Sequence, residues 1–236
     1  MSHGRLTSLQ SRVLALLAGL EPAWTLTGGA ALAGFHLEHR TTRDLDLFFR
    51  DRRALEKPLL AAIESRFLRA LLKHERIQTS EAFVRYRVWD DAESIVVDLV
   101  AEPVPSVAAA ERITLERDPA VDTGSEAEPH EILIDSRHEI LVNKLNALVS
   151  RTELRDLVDV EALLRQGGDL TRALGDAGGK DSGFSPLVLV GCLASFPVHL
   201  LASRVDLPKV ELVALEAFVA TLTAAVARAA FGDTEP

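Results

Sequence analysis

The stretch TLTGGAALAGFHLEHRTTRDLDLFF, from Thr25 to Phe49, places two adjacent glycines ahead of two aspartates that stand two apart. Glycine lets a ligand approach the backbone closely. A strand that runs through glycines into a helix offers N–H groups to an anion. The alternation in DLDLFF puts Asp44 and Asp46 on one side of a strand and Leu45 and Leu47 on the other. Two converging carboxylates are costly unless a cation sits between them. A hard divalent ion such as Mg2+ takes carboxylate and phosphate oxygens together. A glycine turn holding phosphates beside a carboxylate pair is therefore equipped for metal-assisted nucleotidyl transfer.

Two other phosphate-binding plans fail on residue type. Gly29 and Gly34 have the spacing of a Walker loop, but Phe35 and His36 follow where lysine and Ser/Thr are needed. A dinucleotide fingerprint needs a glycine where Ala30 stands. It would use Asp46 for a ribose and leave Asp44 unexplained. The transfer plan calls for a third carboxylate on a neighbouring strand, and SIVVDLV supplies Asp98, the one acid in an apolar run. An unpaired charge there costs on the order of several kcal/mol, which a bound metal would remove. The plainer alternatives are ion pairs of Asp44 and Asp46 with Arg40 or Arg43, and a structural hydrogen bond for Asp98. His36 is expected to pack near a helix end and His39 with Arg40 to edge the pocket, without a metal role. Trp24 and Trp89 are expected in the core, and Cys192 as a buried small apolar residue.

The elements that must position these residues follow from periodicity. Helices are expected over Leu6–Leu20, Ala30–Leu37 and Arg52–Leu72, the last with a stripe of Leu55, Leu59, Leu60, Ile63, Phe67 and Leu71. AWTLT and DLDLFF read as strands. AFVRYRVWD and SIVVDLVAE flank a turn at Asp90–Glu93 and read as a hairpin. Glu102 to Asp135 is an irregular connection with Pro103, Pro105, Pro119 and Pro129, ending in a short strand at EILID. Beyond Arg137 only helices are expected. The fold class is α+β, with a mixed sheet and flanking helices over residues 1–136 and a helical bundle over 137–236.

The whole chain of 236 residues carries a net charge of −9, which argues against a general nucleic-acid coat while leaving room for a local basic surface. A single cysteine excludes an internal disulfide framework and suits a reducing cytoplasm. The run LVLVGCLASFPVHLLA is broken by Pro197 and His199 and is short for a bilayer, so no membrane partner is expected.

The blocks TGGAAL, HRTTRDLDLFF, VVDLV and NKLNALVSRTELRDLVDV resemble the polymerase-β-like nucleotidyltransferase superfamily. Within it, the pattern around Lys144, Arg151, Arg155, Asp156 and Asp159 is similar to the AbiEii/AbiGii toxin family. The resemblance spans about Trp24 to Val160. It implies that Gly28, Gly29 and Ala30 cradle nucleoside triphosphate, and that Asp44, Asp46 and Asp98 hold two Mg2+ ions. It implies nucleotide contacts for Arg43, Lys144 and Arg151, and catalytic roles for Lys144 and Asp156. Ala30 stands where many members carry Ser or Thr, and Leu141 where the family carries an acid. If the helix continues through Thr152, Lys144, Leu148, Arg151 and Arg155 fall on one face. The resemblance further implies an RNA acceptor, a tRNA end in particular, and a cognate antitoxin. A small-molecule acceptor and a non-catalytic binding module are the rival readings.

Overall fold

The computed structural model describes residues 6–115, 130–204 and 209–231. The chain divides into two compact units, Met1–Ser136 and Arg137–Pro236. Positions 116–129, with Pro119 and Pro129 of the proline-rich connection, and position 208 lie outside the described residues.

In the first unit, a helix α1 (Ser8–Leu17) precedes strand β1 (Trp24–Thr27), which enters a short helix α2 (Gly28–Ala31) that continues as a π-helical turn over Leu32–His36. Strand β2 (Asp44–Phe49), helix α3 (Lys57–Arg69), strands β3 (Lys73–Thr79), β4 (Phe83–Trp89) and β5 (Ser94–Ala101) follow, then β6 (Glu111–Thr114) and β7 (Glu131–Ile134). Among the described residues these strands form one seven-stranded sheet in the order β3-β4-β5-β2-β1-β7-β6. The sheet is mixed: β2 pairs with β5, and β1 with β7, in parallel, while the other neighbours are antiparallel.

One face of the sheet is core. Leu45, Leu47 and Phe49 of β2, Val84, Tyr86 and Val88 of β4, and Val97 and Leu99 of β5 are buried with Leu59, Leu60, Ile63 and Phe67 of α3. Tyr86 meets Phe67 edge-on at 6.0 Å between ring centroids and donates its hydroxyl to Glu64 at 2.9 Å. Burial and the Glu64 bond push the phenol upward, so it stays protonated. The strict alternation leaves Asp44, Asp46, Phe48, Phe83, Arg85, Arg87 and Trp89 to the opposite face.

Two expectations are corrected, and one strand joins those read from the sequence. The α3 helix stops at Arg69, and Leu71 leaves the stripe with a left-handed φ of 57° and 88% exposure. β3 carries no apolar alternation, because an edge strand meets a neighbour on one side only and is written here as KHERIQT, almost wholly exposed. Trp89, expected in the core, is only partly buried and belongs to the outward row of β4.

The second unit contains α4 (Arg137–Ser150), α5 (Leu154–Arg165), α6 (Leu170–Lys180), α7 (Pro186–Ala194), α8 (Val198–Ala202) and α9 (Lys209–Phe231). α9 packs on α7 and α8, with Leu215, Leu222 and Val226 buried. Its stretch Glu211–Phe231 is also long and apolar enough to cross a membrane by length and composition, and 17% of it is buried. Cys192, on α7, is partly exposed rather than buried.

α4 and α6 are joined by a buried ion pair. Lys180 donates to Glu139 and, at 2.5 Å, to the side-chain oxygen of Asn143, with both charged side chains almost wholly out of water. Removing one partner strands the other charge. Lys180→Met is expected to lower the unfolding free energy by about 3–5 kcal/mol in urea denaturation. Combining it with Glu139→Leu should restore most of the loss.

Candidate active site

β1 delivers the diglycine to the end of the sheet, beside β2, where Thr27 pairs with Asp46. Gly28 has a left-handed φ of 64°, a conformation that glycine adopts without steric cost. A β-carbon there would stand 2.4 Å from Oδ2 of Asp46, so the bare backbone of Gly28 lies against this carboxylate. Gly29 is covered in the same way from another side: a β-carbon would stand 2.6 Å from a terminal nitrogen of Arg40. The bend therefore lies between a carboxylate and a guanidinium. Ala30, one residue on, is fully buried.

The loop before β2 is fixed by local bonds. Gln10, buried in α1, completes a capping box with Thr7 and donates to the Thr42 carbonyl at 3.2 Å. The Thr42 hydroxyl accepts from the Asp44 N–H at 3.4 Å, and the Arg43 carbonyl accepts from the Val96 N–H at 3.2 Å. The Arg43 side chain is exposed. The Nε2 of His36 sits 2.8 Å from the main-chain carbonyl of Asp135, at the end of β7, which fits the packing role expected of it.

The parallel register of β2 and β5 places Asp46 beside Asp98 and Asp44 beside Val96. β4 in turn places Arg85 beside Asp98. Arg85 grips Asp98 with two bonds, Nε to Oδ1 and a terminal nitrogen to Oδ2, each 2.7 Å. These bonds raise the guanidinium above its ordinary range, and the fields of Asp98, Asp44 and Asp46 add to the effect. The metal role expected of Asp98 therefore meets a competing cation at the same carboxylate. The buried carboxylate already has a bidentate cationic partner, which offsets the burial cost that a second ion was expected to offset. Among the described residues, no group of three or more His, Cys, Asp and Glu is arranged to hold a metal ion. Asp44 and Asp46 remain as a same-face carboxylate pair beside the bend. Two such oxygen donors fit a divalent ion whose other positions go to nucleotide phosphates and water.

The residue missed from the sequence is Arg85. Its signal lies in the hairpin itself. Counting back from the Asp90–Glu93 turn, through Trp89 opposite Ser94, puts Arg85 opposite Asp98.

The residues expected to help from the helical half form a network of their own in the second unit. Lys144 of α4 is buried and donates to Asp156 at 2.6 Å and to Asp159 at 2.8 Å, both on α5 and both fully buried. Arg151 holds the two oxygens of Asp156 at 2.7 and 3.1 Å. The single helix through Thr152 does not form: α4 ends at Ser150 and α5 begins at Leu154. Arg155 therefore leaves the Lys144 face and bonds Glu153 at 2.5 Å. Burial pushes the Asp156 carboxyl up, but the Arg151 and Lys144 bonds and charges outweigh it and hold the group below its ordinary value.

The family model described as nucleotidyl transferase AbiEii toxin, type IV toxin–antitoxin system, matches residues 12–229. The chain belongs to the AbiEii nucleotidyltransferase toxin family. The AbiEii fold is shared with solved structures. One is the nucleotidyltransferase toxin MenT4 from Mycobacterium tuberculosis H37Rv, 18% identical over 96% of this chain and 86% of that one, with a TM-score of 0.55. Another is a candidate nucleotidyltransferase from H. pylori, 20% identical over 93% of this chain and 94% of that one, with a TM-score of 0.51. No curated protein matches this AbiEii chain.

Two outcomes test the geometry. Gly19 and Gly28 have nearly the same φ, but nothing lies within 4 Å of a β-carbon at Gly19. Gly19→Ala should cost the left-handed strain alone, about 1–2 kcal/mol. Gly28→Ala should cost more, because it also displaces Asp46, and calorimetry should find Mg2+-nucleotide binding weakened in Gly28→Ala only. In the second unit, the depressed carboxyl of Asp156 contributes stability that is present above its unfolded pKa of about 3.9 and lost as pH falls through the folded value. Lys144→Met should therefore be less stable than wild type at neutral pH, and the gap measured by urea denaturation should narrow on acidification.

Proposed function

We propose that the protein transfers a nucleoside monophosphate from a nucleoside triphosphate to a hydroxyl at an RNA end, a tRNA end in particular, breaking the α–β phosphoanhydride bond and releasing pyrophosphate, as the toxin of a toxin–antitoxin pair. Family membership supports the reaction class and an antitoxin partner. The observation that carries the assignment to residues is the contact of the Gly28 backbone with the Asp46 carboxylate, with Arg40 over Gly29. It joins an anion-accepting bend to a cation-binding pair.

In this reading the β- and γ-phosphates lie at Gly28 and Gly29, and the side chains of Arg40 and Arg43 meet their charge. Asp44 and Asp46 hold Mg2+, which when bound neutralises phosphate charge and aligns the reacting oxygens. Asp98 stands next to Asp46 across the sheet, on the side away from the bend. It is the carboxylate nearest the incoming hydroxyl and can take its proton once Arg85 yields one of its two bonds. Lys144, Arg151 and Asp156 act as a positioning set, since their mutual bonds fix the start of α5 against α4. The reaction takes place in the cytoplasm.

The test supplies the whole chain with labelled nucleoside triphosphates, Mg2+ and total RNA. Label should enter tRNA. Asp46→Asn should lose more than the roughly 100-fold that bounds an outer-shell substitution, with unfolding midpoints near wild type. Label found only on added aminoglycosides would replace the acceptor. Absence of metal-dependent triphosphate binding in the wild type would replace transfer with a binding module.

A further inference from the structure

The outward row of β4 has a composition that the transfer reaction itself does not need. Phe83, Arg85, Arg87 and Trp89 alternate with the buried Val84, Tyr86 and Val88. Aromatic and cationic side chains thus interleave along one strand. Arg85 lies over the Phe83 ring at 5.4 Å, and Arg87 lies over the Trp89 ring at the same distance. Each guanidinium carbon is within cation–π range of a ring's negative face. Arg87 is exposed, and its Nε donates to the Ser94 hydroxyl at 3.2 Å.

The row is also placed with respect to the carboxylates. Asp44 is followed across the sheet by Val96 and then Arg87, and Asp46 by Asp98 and then Arg85. β4 is two strand spacings from β2, about 10 Å. The diglycine bend is on the other side of β2, at the end of β1. The sheet therefore has a bend side and a β4 side, with the carboxylates between them.

We propose that this row is the platform on which the single-stranded end of the acceptor RNA lies, so that the acceptor enters from β4 while the triphosphate enters from β1. The proposal rests on the nucleotidyl transfer set out above. Charge and shape select this occupant. A chain of net charge −9 repels nucleic acid in general, and in this row Arg85 is paired with Asp98 while the exposed Arg87 is the cation turned to solvent for a phosphate. Unpaired bases expose flat faces that stack on aromatic rings and on guanidinium planes. A duplex keeps those faces covered. Stacking reads every base, so the platform selects for an unpaired end rather than for a sequence.

The chain contains two tryptophans, and Trp24 is buried. Base stacking on this row is thus visible as quenching of Trp89 fluorescence in the unaltered protein. A short single-stranded RNA should quench the signal saturably, and a blunt hairpin of the same composition should not. Arg87→Gln, a surface change, should weaken binding of the single strand by about fivefold or more. It should also reduce the salt dependence by about one phosphate contact. Calorimetric binding of Mg2+-triphosphate should stay as in wild type. The proposal is overturned if the single strand does not bind, if it binds without quenching, if the hairpin binds equally well, or if Arg87→Gln binds RNA as wild type does. Loss of triphosphate binding in the wild type, with RNA quenching intact, would instead overturn the transfer reading and leave the platform standing.

Discussion

The parallel pairing of β2 with β5 is the constraint on which the rest of the first unit depends. It fixes Asp46 beside Asp98, one strand spacing apart. Two like charges at about 5 Å repel by roughly 3 kcal/mol at the effective dielectric of a protein surface. Asp44, two residues before Asp46 on the same face, adds to the crowding. The surroundings carry the marks of that load. Arg85 commits a bidentate bond to Asp98 and feels the other two carboxylates as well. Gly28 gives up a side chain where one would strike Asp46. The opposite face of the same strands is the apolar core, so the sheet cannot slip by one residue without turning all of these carboxylates inward.

The second unit handles charge differently. Lys144, Asp156 and Asp159 are buried together, and Arg151 closes the set from a partly exposed position. Buried ion networks contribute little net stability compared with apolar packing, but breaking one is expensive. Their value is in the geometry they specify. Here the bonds span the break between α4 and α5, where no backbone helix bond continues. The sequence motif that resembles the toxin family is thus, within this unit, a joint between helices.

Much of this arrangement was legible in the sequence, and the physical reason is periodicity. DLDLFF and SIVVDLVAE alternate strongly enough to fix which side chains share a face, and the Asp90–Glu93 turn declares its hairpin. What stayed hidden depends on partners distant in the chain. The claim of Arg85 on Asp98 is a cross-strand bond, readable only once the hairpin register is counted residue by residue. β3 escaped notice because an exposed edge strand has no apolar face to alternate. The end of α3 was placed too late because Leu71 matches the apolar spacing while its backbone has already turned left-handed. The gap between Ser150 and Leu154 was open to a continuous reading, since Arg151, Thr152 and Glu153 include no proline or glycine to mark it.

The bond between Arg85 and Asp98 also links the two sides of the sheet energetically. While both bonds are made, each oxygen of Asp98 accepts from Arg85. On the proposed platform an RNA phosphate would compete with Asp98 for the same guanidinium, because arginine binds phosphate and carboxylate through the same planar fork. In the proposed reading, each contact that Arg85 gives to RNA is one that Asp98 loses. In that reading, the charge that pairs with Asp98 and the charge that meets the acceptor belong to one side chain.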